Sequence, residues 1–244
     1  MCFHYSLQVE ALKIEDRYQA HFVDPEGFQP FFYTNGYDHQ ALPVITSEAS
    51  GEIQRYYWGL IPSWVKDRDS AIDIWSKTLN ARSESAFEKP SFRHAIRYNR
   101  CLIPCTGFYE WHDYKGKKYP YFIQLKGNAI FSIAGIWEEW IERVKGTKVN
   151  TFSVLTTDAN PMVAKIHNIK KRMPVILPVE KENRWLDPEC SREEISAMLC
   201  PYEKEMEAQS ISKLITARNE NPNQEAVQKP FHYLELDLPD IVHS

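Results

Sequence analysis

The chain lacks the features that mark membrane and secreted proteins. No run of about 18 apolar residues occurs in its 244 residues, so the sequence predicts no membrane-spanning helix. The N-terminal segment has no basic stretch followed by an apolar one, which argues against a secretory signal. The five cysteines are an odd number in a chain without such a signal, which favours reduced thiols. We therefore expect a cytoplasmic protein.

The chain also lacks the spacing of a zinc site and any sign of internal repetition. Cys101 and Cys105 have no second Cys or His pair at metal-binding spacing, so we interpret them as core thiols and expect no metal or cofactor. Repeats, low-complexity tracts and Pro/Gly/Ser linkers are absent, and the 15 prolines are scattered. We therefore predict a monomer with one domain over residues 1–244.

The charge balance differs between parts of the chain. A net charge of −4 argues at first against nucleic acid, because phosphate binding requires positive charge. Residues 51–126, however, carry 13 Lys and Arg against 8 Asp and Glu, whereas the remainder carries 16 against 25. A basic middle in an acidic chain permits a groove for an anionic ligand, although charged runs are usually solvated faces.

The order of predicted elements favours an α+β fold over a regular alternation of strand and helix. Helical spacing or helix-start signals occur at 5–18, 83–87, 91–98, 161–167, 181–186 and 192–199. Strand patterns occur on both sides of the turn with Asn35-Gly36, and at 52–62, 101–111, 151–157, 173–178 and 212–218. A hairpin is predicted over 119–137 around Lys126-Gly127-Asn128, and Ser63–Asn80 is predicted to be a long irregular loop.

Cys2 follows the initiator methionine directly. If Met1 is removed, one residue carries an α-amine with a pKa of about 8 and a thiol with a pKa of about 8.5 on adjacent carbons. The amine can condense with an aldehyde to an imine, and the thiol can then close a five-membered thiazolidine. An internal cysteine cannot do this. By position alone, a small residue that happens to follow Met1 is the simpler explanation.

Three further polar residues are candidates for chemistry. Glu110 lies among aromatic residues at the end of an apolar strand, where burial raises the pKa of a carboxyl group, although an exposed edge position is equally compatible. His167 lies near the end of a short predicted helix, where a lone histidine is more often structural. Asn80 precedes a predicted helix, and an asparagine there is more often a cap.

Aromatic and basic residues also alternate through the middle of the chain. Such a mixture suits single-stranded nucleic acid, because bases stack on rings while Lys and Arg contact phosphates. Aromatic residues in strands more often belong to the core, so both interpretations stay open. The residues concerned are Trp58, Trp64, Lys66, Trp75, Lys77 and Arg82.

Six ordered motifs follow Met1-Cys2: Trp58-Gly59-Leu60-Ile61-Pro62-Ser63-Trp64, Asn80-Ala81-Arg82-Ser83-Glu84, Lys89-Pro90-Ser91-Phe92-Arg93, Arg100-Cys101-Leu102-Ile103-Pro104, Gly107-Phe108-Tyr109-Glu110-Trp111 and Arg172-Met173-Pro174-Val175-Ile176-Leu177. Together they resemble the SRAP domain, the SOS-response-associated peptidase family. The likeness is clearest over residues 2–177, and we assign 178–244 to the same domain. It implies a single α+β domain of curved, largely antiparallel, barrel-like sheets with short flanking helices and a basic cleft.

The resemblance implies a protein that shields abasic sites in single-stranded DNA through a thiazolidine with its N-terminal cysteine. In that reading Cys2 supplies the amine and the thiol, and Asn80 orients the cysteine and the opened sugar. Glu110 moves protons during imine formation and ring closure. His167 assists as an acid, a base or a hydrogen-bond donor.

The resemblance also assigns contacts to DNA. Arg82 and Arg172 would contact phosphates, Trp64 would stack on a base, and Trp75 would share that role. Lys77 is also predicted to contact DNA, because it lies in the segment where aromatic and basic residues alternate. His4 stands where the family usually has arginine, because Cys2-Phe3-His4 replaces Cys-Gly-Arg. The segment between the histidine and Arg-Met-Pro, a single residue in the family's His-x-Arg-Met-Pro motif, is three residues longer here and more basic.

Three hypotheses follow. The first is a DNA-damage protein that captures abasic sites covalently in single-stranded DNA, with no membrane partner. The second is a peptidase in which Cys2 is an N-terminal nucleophile, with the Met1–Cys2 bond as its clearest substrate. The third is a module that binds single-stranded DNA without covalent chemistry.

Overall fold

Two β-sheets and six short α-helices form the part of the chain that the computed structural model describes, which is residues 2–217, 219–236 and 241–243. In chain order the strands are β1 (His4–Leu7), β2 (His21–Phe22), β3 (Phe31–Asn35), β4 (Ala41–Thr46), β5 (Glu52–Trp58), β6 (Asn80–Arg82), β7 (Arg100–Cys105), β8 (Gly107–Tyr114), β9 (Lys117–Leu125), β10 (Phe131–Glu142), β11 (Thr147–Asp158), β12 (Arg172–Pro174), β13 (Ile176–Leu177), β14 (Met206–Ser210) and β15 (Ile241–His243). The helices are α1 (Ala11–Tyr18), α2 (Arg68–Trp75), α3 (Ala95–Tyr98), α4 (Pro161–Ile166), α5 (Val179–Leu186) and α6 (Arg192–Met198).

The larger sheet closes on itself. Strands β5, β4, β7, β10 and β11 pair in that order, and β11 then pairs with β5 in parallel through Thr151–Tyr57 and Phe152–Trp58. The other four pairings in this ring are antiparallel. Short strands β2, β6, β12 and β13 extend the ring. The expected α+β class with a barrel-like sheet is therefore confirmed.

The smaller sheet positions the N-terminus. Its order is β15-β14-β9-β8-β1-β3, so β1 lies between β3 and β8. Tyr5 pairs with Phe108 and Ser6 with Gly107. Gly107 permits this close packing, because a Cβ there would lie 2.3 Å from the ring of Phe122 and 3.0 Å from the Ile123 carbonyl.

Two predictions for the first eighty residues are wrong in part. The segment 5–18 is not one helix, because residues 4–7 pair with two strands as β1 and only Ala11–Tyr18 is helical. The expected loop Ser63–Asn80 contains α2, which begins at an Asp67 cap whose side chain accepts from the Ser70 N–H. That capping signal outweighed the lack of a clear apolar period.

The predicted pairing along the middle of the chain is also wrong. The segments 119–125 and 129–137 do not form a hairpin, because β9 pairs with β8 and β14 while β10 belongs to the barrel. The two strands predicted around Asn35-Gly36 do form, as β3 and β4, but they lie in different sheets on either side of the 3-10 helix Gly36–Asp38. Local turn signals predicted these turns, but a turn does not determine whether its strands pair with one another.

Further corrections are local. The single strand expected at 101–111 is two strands, β7 and β8, separated at Thr106. Residues 83–87 form turns, and of 91–98 only α3 is α-helical. The strand expected at 212–218 is the 3-10 helix Lys213–Thr216, whose N-cap Ser212 accepts from Leu214 N–H; Arg218 lies outside the described residues.

The later helices agree with the sequence. Helix α4 has Pro161 in its first turn, and the Asn160 side chain accepts from the Val163 N–H. Helices α5 and α6 also form where expected. The predicted core thiols Cys101 and Cys105 are buried and free. Among the helices of the described residues, none has the length and apolar character needed to cross a membrane.

Candidate functional site

Cys2 lies buried immediately before β1, where that strand runs beside β8. Its Sγ donates to the His4 carbonyl at 3.6 Å. Burial raises the pKa of the Cys2 thiol well above its ordinary value, and the negative charge of Glu110 raises it further. The thiol is therefore protonated at neutral pH. The predicted removal of Met1 concerns a residue outside the described part of the chain.

Glu110 and His167 meet from two elements. Glu110 is buried on β8, and His167 follows the last residue of α4. The His112 Nδ1–H donates to the Lys165 carbonyl at 2.9 Å, and this hydrogen bond holds α4 against β8. The Nδ1 of His167 lies 3.5 Å from Oε2 of Glu110 and donates to the Arg172 carbonyl at 2.9 Å. That carbonyl fixes the proton on Nδ1, so Nε2 carries the lone pair of the neutral ring.

Burial shifts both groups towards their neutral forms. Desolvation raises the pKa of Glu110 to about 8, although the positive charge of Lys170 opposes this shift. Desolvation lowers the pKa of His167 to about 4. At pH 7 the site therefore holds a protonated carboxylic acid that can donate and a neutral imidazole that can accept. Such a pair suits general acid–base chemistry.

A cavity of about 460 Å³ opens beside this pair. It is mostly apolar, with two lysines on its wall. Its lining consists of Phe3, His4, Glu110, Trp111, Lys118, His167, Ile169, Lys170 and Thr216. Its volume is within the range of small-molecule sites. The structure thus places two of the predicted catalytic residues in the wall of one cavity, with the third, Cys2, buried close to Glu110.

Asn80 is the fourth predicted catalytic residue. It begins β6, where it pairs with Val154 of β11. Its side-chain Oδ1 and Nδ2 are buried and have no hydrogen-bond partner within the described ranges. Such a group destabilises a fold by roughly 1–3 kcal/mol, and Asn80 is not among the residues that line the cavity.

His4 occupies an aromatic setting. It stacks on Tyr33 at 5.3 Å between ring centroids and meets Trp111 edge-on at 4.9 Å. Its Nδ1 shares a 2.8 Å hydrogen bond with the Tyr33 hydroxyl. Burial lowers the pKa of His4 to about 4, so it is neutral at pH 7. It cannot supply the positive charge of an arginine.

The aromatic and basic residues of the middle segment divide into buried and accessible groups. Trp58 belongs to the core and donates its indole N–H to the Leu79 carbonyl. Trp64 is 55% exposed. Trp75 is half-buried and stacks on His39 at 4.3 Å. Its ring lies against Gly59, where φ is +107° and a Cβ would lie 2.3 Å from the indole.

The predicted cations differ in how they are paired. Arg82 is exposed, and its side chain has no ion pair within the described residues. Lys77 is exposed and bridges Asp73 at 2.6 Å. Arg172 is buried, with a bidentate pair to Glu84, a 2.9 Å bridge to Asp158 and a 2.7 Å hydrogen bond to the Thr156 carbonyl.

Sequence reasoning overlooked part of the cavity wall. Trp111, Lys118 and Ile169 were not singled out, because their convergence depends on pairing of β8 with β9 and on the loop after α4. Phe3 and Lys170 lie in the two segments where the sequence departs from the family motifs. Among the described side chains, no group of three or more His, Cys, Asp or Glu is placed to hold a metal ion.

The model of the SOS response associated peptidase (SRAP) family matches residues 1–218. The chain belongs to the SRAP family. It is 35% identical over 225 residues to the abasic site processing protein YoaM of Bacillus subtilis, covering 91% of this chain and 95% of that protein. It is 33% identical over 150 residues to the abasic site processing protein HMCES of Gallus gallus, covering 53% and 44%.

Two solved structures have the same fold as this chain. A protein from Bacteroides thetaiotaomicron superposes with a TM-score of 0.89 at 37% identity, covering 95% of this chain and 100% of that one. A Bordetella bronchiseptica protein gives a TM-score of 0.75 at 24% identity, which supports the fold alone. The family predicted from the motifs is therefore confirmed.

Proposed function

We propose that this protein processes abasic sites in single-stranded DNA by forming a covalent thiazolidine through Cys2 after Met1 is removed. The observation that carries the proposal is the buried Glu110–His167 pair in the wall of a cavity beside the second residue of the chain. The names of its relatives, which include abasic site processing proteins from bacteria and vertebrates, support the same substrate.

The chemistry requires an acid and a base in turn. The Cys2 amine adds to the aldehyde carbon of the ring-opened sugar, and the resulting hydroxyl leaves as water after it takes a proton from Glu110. The thiol then adds its sulfur to the imine carbon, and its proton passes to the imine nitrogen by way of Glu110 or His167. The product contains both reactants less one water. Asn80 would hydrogen-bond the opened sugar with its buried amide.

DNA binding would use the accessible residues of the middle segment. Trp64 and Trp75 would stack on bases, and Arg82 and Lys77 would approach phosphates. His4 would contact the lesion as a neutral hydrogen-bonding ring, because burial lowers its pKa to about 4. We therefore expect His4 to contribute hydrogen bonding to the lesion contact, and no charge.

A cross-linking assay tests the proposal. Single-stranded DNA with one abasic site should give a product with the Met1-free protein that survives denaturing electrophoresis. Cys2→Ala should abolish that product, and an N-terminal tag that blocks the amine should do the same. A full yield from Cys2→Ala would overturn the mechanism. Equal affinity for intact and abasic strands with no covalent product would indicate a binding module instead.

A second activity is self-processing of the Met1–Cys2 bond, which the closeness of Glu110 to Cys2 favours. Glu110 would serve as the proton carrier for attack by the Cys2 thiol. The intact mass of Glu110→Gln separates the possibilities. Retained Met1 would support self-processing, whereas complete removal would indicate a separate aminopeptidase.

A further inference from the structure

Three cations lie near the candidate cavity, and they differ in how free they are to meet a phosphate. Arg172 is 6% exposed and already donates to two carboxylates and a backbone carbonyl. Lys118 lines the cavity and bridges Asp113 at 2.8 Å. Lys170 lines the cavity, is exposed, and has no ion pair within the described residues. Of the three, Lys170 has the most available charge.

The loop that carries Lys170 is held firmly at both ends. Asn168 donates from Nδ2 to the Asp113 carbonyl at 2.8 Å, and its Oδ1 accepts from the Asp113 N–H at 3.0 Å. At the other end, the Lys171 N–H donates to the His167 carbonyl at 2.8 Å, and Lys171 has a φ of +48°. These bonds keep the loop against β8 and leave Ile169 and Lys170 at the cavity wall.

The position of Lys170 couples it to the acid–base pair. Its charge lowers the pKa of both Glu110 and His167, although burial is the larger influence on each. An ammonium group this close to the reacting groups would also be close to a phosphate attached to the sugar in the cavity. In contrast, the Arg172 guanidinium could reach a phosphate only by leaving Glu84 and Asp158.

We propose that Lys170, presented by the extended loop after α4, is the phosphate-binding residue of this cavity, and that Arg172 has a structural role within its ion pairs. This inference rests on the proposed function and specifies which part of the lesion the cavity recognises. A phosphate next to the abasic sugar would pair with Lys170 and set the aldehyde over Glu110 and His167. The apolar neighbours Phe3, Trp111 and Ile169 would strengthen that pair by reducing its contact with water.

Small fragments of the lesion test this assignment. Met1-free protein is treated with 2-deoxyribose or with 2-deoxyribose 5-phosphate, and adduct formation is followed by intact mass. The wild-type protein should react faster with the phosphorylated sugar. Lys170→Gln should lose about tenfold in this preference, because one charge-assisted contact is removed. Lys171→Gln is the matched control, since it removes the same charge from the next residue, and it should keep the preference.

A binding measurement separates this proposal from the proposed chemistry. Single-stranded DNA with a stable tetrahydrofuran abasic analogue cannot form the adduct, so its affinity reports contacts alone. Lys170→Gln should reduce the slope of log K against log salt by about 0.7, the value for one phosphate contact with a single strand. Lys171→Gln should leave the slope unchanged.

The outcomes are distinct. If wild-type protein forms no adduct with either sugar, the covalent function fails, while the salt slope still decides the role of Lys170. If Lys170→Gln keeps both the sugar preference and the wild-type slope, the assignment to Lys170 is wrong. Thermal unfolding of each variant checks that the exposed substitutions leave the fold intact.

Discussion

Two buried polar clusters lie on different parts of this molecule, and they are satisfied in different ways. In one, Arg17 donates to both carboxylate oxygens of Glu182 at 2.7 and 3.0 Å, and the Ser132 hydroxyl donates to Glu182 at 2.6 Å. The Tyr18 hydroxyl completes this cluster with a 2.8 Å hydrogen bond to Ser132. Every member has a partner, as expected of groups that hold α1 and α5 against the barrel.

The cluster near Cys2 is arranged differently. Glu110 and His167 are both shifted towards their neutral forms, and elsewhere in the fold, outside the lining of the cavity, the Asn80 amide has no hydrogen-bond partner within the described residues. A fold does not benefit from such an arrangement, since buried polar groups without partners destabilise it. The difference teaches that complete hydrogen bonding fits a structural role, whereas shifted pKa values beside a cavity make Glu110 and His167 candidates for chemistry.

The largest expected effect comes from removing the acid at the site. Glu110→Gln keeps the shape but cannot donate a proton to the leaving hydroxyl, so the rate of cross-link formation should fall about a hundredfold. The measurement is a time course with abasic single-stranded DNA, using protein whose Met1 has been removed. An unchanged rate would mean that Glu110 belongs with the structural cluster after all.

The corresponding substitution in the Arg17–Glu182 cluster should change stability instead of the cross-linking rate. Glu182→Gln leaves Arg17 half-buried without its anion, and we expect the free energy of unfolding to fall by about 2 kcal/mol. Urea titration measures the loss, and the cross-linking rate of the folded variant should remain at the wild-type value. A stable variant with a reduced rate would show that the two clusters are coupled.

A smaller effect is expected for Asn80→Ala. The amide has no partner to lose and its burial destabilises the fold, so the unfolding free energy should stay the same or rise by about 1 kcal/mol, while the cross-linking rate should fall about tenfold. Urea titration and the cross-linking time course on the same sample give both numbers. A loss of stability without a loss of rate would assign Asn80 to the fold.

The smallest expected effect is a change in the free energy of unfolding with pH. Because burial raises the pKa of Glu110 to about 8, the folded protein binds a proton that the unfolded chain releases above about pH 4.5. Stability from this group is therefore complete below about pH 4.5 and is lost as pH rises through 8. From pH 6 to 7, wild-type protein should lose about 1 kcal/mol relative to Glu110→Gln in urea titrations. If the free energy of unfolding changed with pH in the same way for both proteins, the raised pKa of Glu110 would be refuted.

The sequence indicated candidate residues better than it indicated their surroundings. Cys2, Glu110 and His167 could be named as candidates because the ordered motifs assign them roles, although position alone favoured simpler explanations for Cys2 and His167. The setting of His4 was not predictable, since its partners Tyr33 and Trp111 come from strands that pair on either side of β1. Pairing of distant strands is a global property, and the turn at Lys126-Gly127-Asn128 shows that local signals do not determine it.

The place of β1 between β3 and β8 has a consequence for synthesis of the protein. The N-terminus leaves the ribosome first, but β8 begins at Gly107 and His167 comes later still. Until β8 has been made, β1 can pair only with β3 and one of its edges stays uncovered, because domains fold as units once their contacts exist. A growing or truncated chain would therefore carry an uncovered Cys2, and shielding of that residue would depend on completion of the whole fold.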